Sequence, residues 1–238
     1  MLRQIPPIKI YTDASTIDEV ARYAAEPWVS GFTTNPTLMR KGGATDYKTF
    51  ALAAIEAAAG KPLSLEVVAD DVPTMIAQGM TLGSWADNVV VKIPITTTTG
   101  ESCLPAVRAL LDAHIRVNVT AMMTDEQVRG LIGVIGAGDQ VIASVFAGRI
   151  ADAGIDPVPV MTRYAQWLAP FPAAELLWAS PREVLNIVQA SECGCDIITV
   201  TPDVLAKVPT LGKDLTVFSL ETVAMFHNDA MSAGLTIH

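Results

Sequence analysis

Lys92 interrupts an otherwise apolar run, Asn88-Val-Val-Val-Lys92-Ile-Pro-Ile-Thr96, whose composition is that of a β-strand. Burial disfavours a charged ammonium group, so an amine enclosed by such a strand is available in its neutral form to attack a carbonyl carbon and form a Schiff base. The segment alone equally fits a strand-end lysine whose long stem lets its head reach water. Further polar groups recur at comparable points, each late in an apolar run or just beyond it: Asp13, Asn35, Glu66, Asn118 with Thr120, Ser144 with Arg149, and Ser180 with Arg182. With Lys92 they supply one amine, two carboxylates, two amides, three hydroxyls and two guanidiniums.

There are eight short apolar runs, the first seven of which carry these groups: Ile8–Thr12, Val29–Thr33, Leu63–Val68, Val89–Ile93, Ile115–Val119, Val141–Phe146, Leu176–Ala179 and Ile197–Val200. Amphipathic segments lie between them, at Thr16–Ala25, Asp46–Ala59, Val72–Leu82, Cys103–Ala113, Asp125–Ile135, Val158–Leu168 and Glu183–Ala190. This βαβα alternation predicts a parallel sheet covered by helices, and eight units predict closure into a single (β/α)8 TIM barrel over residues 8–208. An open doubly wound sheet is the alternative, but its glycine-rich turn after the first strand is missing, because that strand runs into Asp13-Ala-Ser. Gly130, Gly133, Gly136 and Gly138 fall at the end of a helix and before a strand, where they read as chain reversal and close packing. An extra C-terminal helix is expected over residues 215–234, with Phe218, Val223, Phe226 and Met231 as apolar contacts. Such a helix on a complete barrel needs a surface to cover it, and a neighbouring subunit of a homo-oligomer is one candidate. In a barrel of this kind the C-terminal strand ends carry the active site, so the polar groups above converge on one mouth.

Half of the 238 residues are apolar and 17% are charged, which suits one large globular domain. The formal net charge of −9 argues against a sequence-independent grip on nucleic acid or an anionic membrane. Cys103, Cys193 and Cys195 form no CxxC pair, and Cys193-Gly-Cys195 reads as helix-end packing in a reducing compartment. The start, Met1-Leu-Arg-Gln-Ile-Pro-Pro, shows no signal-peptide pattern, and no apolar run reaches membrane-span length, so a cytoplasmic location is expected. His114, His227 and His238 are scattered away from strand ends, which speaks against a histidine-bound metal. Trp28, Trp85, Trp167 and Trp178 read as packing residues, Asp70-Asp71 as a solvated loop, and Asp152 as a structural partner for a nearby arginine.

Several ordered blocks resemble the transaldolase family, class I Schiff-base enzymes that include the short fructose-6-phosphate aldolases. Gly31-Phe-Thr-Thr-Asn35-Pro-Thr-Leu is similar to the family's GxTTNPxL loop, and Val90-Val-Lys92-Ile-Pro to its lysine segment. Asn118-Val-Thr120 resembles its NxT strand end, Ser144-Val-Phe146-Ala-Gly148-Arg149-Ile-Ala-Asp152 its SxFxGRxxD, and Ala179-Ser180-Pro-Arg182 its ASxR. Cys195-Asp196-Ile-Ile-Thr-Val-Thr-Pro202 resembles its last strand, and the cover runs from Ile8 to Lys207. The resemblance implies that Lys92 attacks a ketose carbonyl, that Asp13 takes the C4 hydroxyl proton, and that Glu66 and Thr120 position a water for carbinolamine dehydration. It further implies that Asn35, Asn118, Ser144 and Thr33 meet the sugar, and that Arg149, Arg182 and Ser180 meet its phosphate. The iminium itself serves as electron sink, so no cofactor or metal is expected.

Two positions speak to the fate of the enamine. Short aldolases typically carry glutamine in place of Glu66 and tyrosine in place of Phe146, so the pair found here points to transfer of a dihydroxyacetone unit to an aldose. Release of free dihydroxyacetone by an aldolase is the alternative. Pro181 and the Thr96–Thr99 run depart from the family pattern, and Pro181 restricts the backbone beside Ser180 in a way that would re-aim Arg182 toward another anion, such as a sulfonated sugar. A barrel that only binds sugar phosphates is the alternative of a different class, but it has no need of a buried lysine.

Overall fold

The structure, a computed structural model, describes residues 5–237; the first four residues of the N-terminal stretch and His238 lie outside the described residues. Strands β1 (Lys9–Asp13), β2 (Val29–Thr33), β3 (Leu63–Glu66), β4 (Val89–Pro94), β5 (Val117–Met122), β6 (Val141–Val145), β7 (Ala174–Trp178) and β8 (Ile197–Val200) are all parallel and follow one another in order around a closed barrel. Pairing of Ile10 with Ile198 and of Tyr11 with Thr199 joins β1 to β8, which rules out the open sheet.

Helices α1 (Ile17–Ala24), α2 (Pro36–Lys41), α3 (Tyr47–Ala57), α4 (Val72–Gly83), α5 (Leu104–Asp112), α6 (Asp125–Ile132), α7 (Ala147–Asp152), α8 (Pro157–Leu168), α9 (Leu185–Glu192) and α10 (Pro202–Leu205) wrap the barrel. Their starts are written locally. Thr16 and Thr124 form capping boxes with Glu19 and Gln127, and Asp46, Asp71 and Asp156 cap α3, α4 and α8. The acidic pair lies in an exposed loop, as read from the sequence, where Asp71 caps α4 and Asp70 accepts from the backbone and hydroxyl of Thr98. Gly133 is the C-cap of α6, which stops at Ile132 rather than at the expected Ile135, with Gly130 inside the helix.

Differences from the expected boundaries have local causes. The third strand stops at Glu66 because the amides of Val68 and Ala69 bond to Gln78 Oε1 instead of a neighbouring strand. The fifth begins at Val117, since His114 adopts a left-handed conformation (φ 59°) and the amide of Ile115 folds back to Leu110 O. Cys193 and Cys195 are buried at the end of α9, and Trp178 is fully buried while Trp28, Trp85 and Trp167 pack against the core.

One apolar core fills the space between barrel and helices, and a second, formed by Tyr11, Val90, Ile142, Leu177, Ala179 and Ile197, plugs the barrel interior. Gly31 is required beside that plug, because a Cβ there would stand 2.6 Å from the Tyr11 ring. A last helix, α11 (Leu215–Ser232), has no buried residue. Phe218, Val223, Phe226 and Met231, expected as contacts, are all exposed, because α1 to α10 already cover the barrel. No helix among the described residues is long and apolar enough to cross a membrane.

Candidate active site

Successive side chains of a strand point to opposite faces, so residues two apart share a face. Two residues after the interior plug positions Tyr11, Val90, Ile142, Leu177 and Ile197 come Asp13, Lys92, Ser144, Ala179 and Thr199. On the other strands the same step leads from Gly31 to Thr33, from Ser64 to Glu66 and from Asn118 to Thr120. All eight of these upper residues line one cavity of about 420 Å³ at the C-terminal mouth, a size suited to a small ligand. Asn35, Phe146, Arg149 and Ser180 complete its walls.

Lys92 is only 6% exposed, which excludes the reading in which its head reaches bulk water. Its Nζ donates to Thr34 O at 2.9 Å and lies 3.1 Å from Glu66 Oε2. The amine is therefore held by a carbonyl and a carboxylate, and β3 and β4 set that pairing by placing Glu66 directly beside Lys92 in register. Across the mouth, Thr33 Oγ1 donates to Asp13 Oδ1 at 3.0 Å and also contacts Thr199 Oγ1. Loss of water raises the Asp13 pKa above its ordinary 3.8, with Lys92 and the Thr33 hydroxyl opposing and Glu66 reinforcing the rise. Asp13 is thus a more basic carboxylate than an exposed aspartate.

Three expected site residues are placed differently from the rest. Asn118 is fully buried and does not line the cavity; it sits one step below Thr120, where Nδ2 donates to Ser64 Oγ and Oδ1 has no partner. Asn35 does line the cavity, but its Oδ1 caps α2 through Leu38 N, leaving the amide nitrogen to face a ligand. Arg182 is absent from the cavity wall. Its Nε donates to Asp152 Oδ1 at 3.0 Å and its NH2 bonds Asp152 Oδ2, so Asp152 is the arginine partner that the sequence suggests. Arg149 faces the cavity with its guanidinium 5.6 Å from the Phe146 ring.

Backbone geometry shapes the rim. Ser180 adopts φ 58° and packs so tightly on α7 that a Cβ at Gly148 would lie 1.6 Å from Ser180 O. Ala121, at φ 64°, marks an irregularity between Val119 and Met122 that turns the end of β5 beside Thr120. Thr199, Ala121, Ala179 and the Pro36–Leu38 turn belong to the cavity without having been expected there. Thr199 was within reach of a sequence reading, since it holds in β8 the position that Lys92 holds in β4; the small or apolar residues carry no such signal.

Residues 10–236 match the model of the family described as transaldolase/fructose-6-phosphate aldolase. The chain is 32% identical over 218 residues to a probable transaldolase of Nitrosopumilus maritimus, covering 90% of this chain and 92% of that protein. It is 36% identical over 193 residues to a probable transaldolase of Roseiflexus sp., with 81% and 85% covered. Among solved structures, a 3-hexulose-6-phosphate synthase from Salmonella typhimurium aligns with a TM-score of 0.56 at 16% identity, over 82% of this chain and 88% of that one, a likeness of fold alone. The chain belongs to the transaldolase/fructose-6-phosphate aldolase family.

The raised Asp13 pKa has a consequence for stability. Between its unfolded and folded values the native state binds more protons than the unfolded chain, so this carboxylate loses stability for the protein as pH rises through that window. Asp13→Asn is therefore expected to have a higher Tm than the wild type at neutral pH, with the gap closing below pH 3.8. Paired thermal melts across that range check this; a lower Tm for the variant at neutral pH would show that the charge stabilises the fold.

Proposed function

We propose that the protein transfers a dihydroxyacetone unit from a ketose phosphate, of the fructose 6-phosphate or sedoheptulose 7-phosphate type, to an aldose acceptor through a Schiff base on Lys92. The observation that carries this reading is the enclosed Lys92 amine with the Glu66 carboxylate at 3.1 Å and Asp13 and Thr120 in the same cavity. Lys92 attacks the ketose carbonyl, and Glu66 with Thr120 holds the water that moves protons while the carbinolamine loses water. Asp13 takes the C4 hydroxyl proton as the C3–C4 bond breaks, its electron pair flowing into the iminium to give an enamine. The raised basicity of Asp13 suits that role, and Thr33 fixes its orientation. The acceptor carbonyl then takes the enamine carbon, and hydrolysis frees Lys92.

Asn35 and Ser144 hydrogen-bond the sugar, while Asn118, buried beneath Thr120, supports the wall through Ser64. Arg149 and Ser180 hold the phosphate on the cavity wall, with Arg182 at the rim. Substitution of Lys92→Met keeps most of the side-chain volume and removes the amine. Borohydride trapping with fructose 6-phosphate is expected to label the wild type and not this variant, and turnover is expected to fall at least about a thousandfold; higher residual activity would sink the covalent scheme.

An aldolase that releases free dihydroxyacetone is the second reading, since the family includes both activities. Phe146 favours transfer, because a phenyl ring on the cavity wall donates no proton to the enamine. Dihydroxyacetone release from fructose 6-phosphate is expected to be slow until erythrose 4-phosphate is added, and faster in Phe146→Tyr. Release as fast as transfer in the wild type would make the protein an aldolase.

The net charge of −9 fits a cytoplasmic enzyme of sugar metabolism with neither nucleic acid nor membrane as partner. The apolar side chains left exposed on α11, among them Leu220, Val223 and Phe226, favour a homo-oligomer in which this helix packs on a neighbouring subunit. Sedimentation of the full chain and of Phe226→Glu checks this: an oligomer that the charge weakens is expected, and a monomeric wild type would exclude it.

A further inference from the structure

Arg182, on the loop after β7, and Asp152, at the last position of α7, lie outside the cavity wall, two positions beyond Ser180 and three beyond Arg149, which line it. The backbone beneath Arg182 is tied down from both sides. Its amide and that of Glu183 donate to Asn186 Oδ1 at 2.7 and 3.1 Å, and Ser180 is wedged against Gly148. The Arg182 side chain, by contrast, is held among the described residues by Asp152 alone. It spends its planar donor edge on both oxygens of Asp152, the geometry with which a guanidinium also meets a phosphate or sulfonate.

Asp152 follows Arg149 by three positions on α7, which places the two on neighbouring parts of one helical face. Hydrogen bonding from Arg182, followed by the charges of Arg182 and then of Arg149, holds the Asp152 carboxyl below its ordinary range. The carboxylate thus lies in the field of both guanidiniums, as a substrate's anionic group at this end of the cavity would. The pair is exposed, with side-chain exposures of 48% for Arg182 and 55% for Asp152, and water-screened pairs of this kind are readily exchanged for a better anion.

We propose that Asp152 tunes the affinity for anionic sugars by occupying Arg182 as a resident competitor, which a phosphorylated substrate held by Arg149 displaces. The proposal rests on the reading of this mouth as a sugar-phosphate site. Asp152 is on this account a positioning residue that acts through Arg182, with Arg149 alone facing the cavity before the anion arrives.

The experiment measures inorganic phosphate binding by calorimetry, and KM and kcat for fructose 6-phosphate and for an unphosphorylated ketose, in the full chain and in Asp152→Asn, Asp152→Glu, Arg182→Gln and Asp152→Asn/Arg182→Gln. Asp152→Asn is expected to bind phosphate about three- to fivefold more tightly and to lower KM for the phosphorylated ketose by a similar factor. Its kcat, and its KM for the unphosphorylated ketose, should change less than about twofold. Asp152→Glu should behave as the wild type, because it keeps the competing carboxylate. In the Arg182→Gln background, Asp152→Asn should have no effect. A gain that persists without Arg182 would overturn the proposal, since it would reflect only the removal of a nearby negative charge, and unchanged or weaker phosphate binding in Asp152→Asn would overturn it as well. Borohydride trapping on Lys92 in the same proteins tests the reaction separately, because the phosphate arm does not depend on turnover.

Discussion

The pleat of a β-strand sends alternate side chains to opposite faces, and closure of eight parallel strands turns one of those faces into the interior of a barrel. Every feature of the cavity depends on this constraint. A lower set of residues plugs the barrel, largely with apolar groups such as Tyr11, Ile142 and Ile197, and the residue two places further along each strand opens into the mouth. The plug closes the barrel beneath the cavity, so the Lys92 amine has a floor below it and a single opening above. An amine so enclosed would be costly without partners, and Thr34 O and Glu66 provide them.

Electrostatics in the mouth follow from that enclosure. Asp13, Glu66 and Lys92 share one small volume, and Asp13 feels the charges of Lys92 and Glu66 while carrying the burden of lost hydration. Nearer solvent, Arg149 lines the cavity while Arg182, outside its wall, bonds Asp152, and the charges of both arginines hold the Asp152 carboxyl below its ordinary range. The cavity is therefore polar along its length, from the carboxylates and amine at its floor to the guanidinium of Arg149 on its wall.

Rim geometry is maintained by backbone that departs from regular strand. Ser180 and Ala121 hold left-handed conformations that alanine and serine rarely adopt, and the structure around them sustains the strain: Gly148 packs on Ser180 and Thr120 is buried beside Ala121. Such positions gather at functional sites because a regular strand end would direct the next side chain away from the opening. Outside the barrel, α11 stands as the element whose apolar surface the monomer leaves uncovered.

Much of this was legible along the chain. Eight apolar runs separated by helical patterns specify a closed barrel, because few other arrangements bury eight parallel strands on both faces, and all the polar residues singled out at their ends except Asn118 and Arg182 line the mouth. Lys92, Glu66, Asp13 and Thr120 could be read directly, since each is a polar group at the end of an apolar strand. Strand boundaries were less legible where side chains captured backbone groups, as Gln78 does beyond Glu66. Depth and pairing lay beyond the sequence altogether. Asn118 and Thr120 are two letters apart and equally polar, yet only closure of the barrel puts one in the wall and the other beneath it. Arg182 looks in sequence like a second phosphate ligand, whereas the fold brings Asp152, thirty positions earlier, within bonding distance first. Local pattern determined which residues reach the mouth, because it obeys the period of a strand; the three-dimensional packing decided which of them are free to act, because that depends on neighbours distant in the chain.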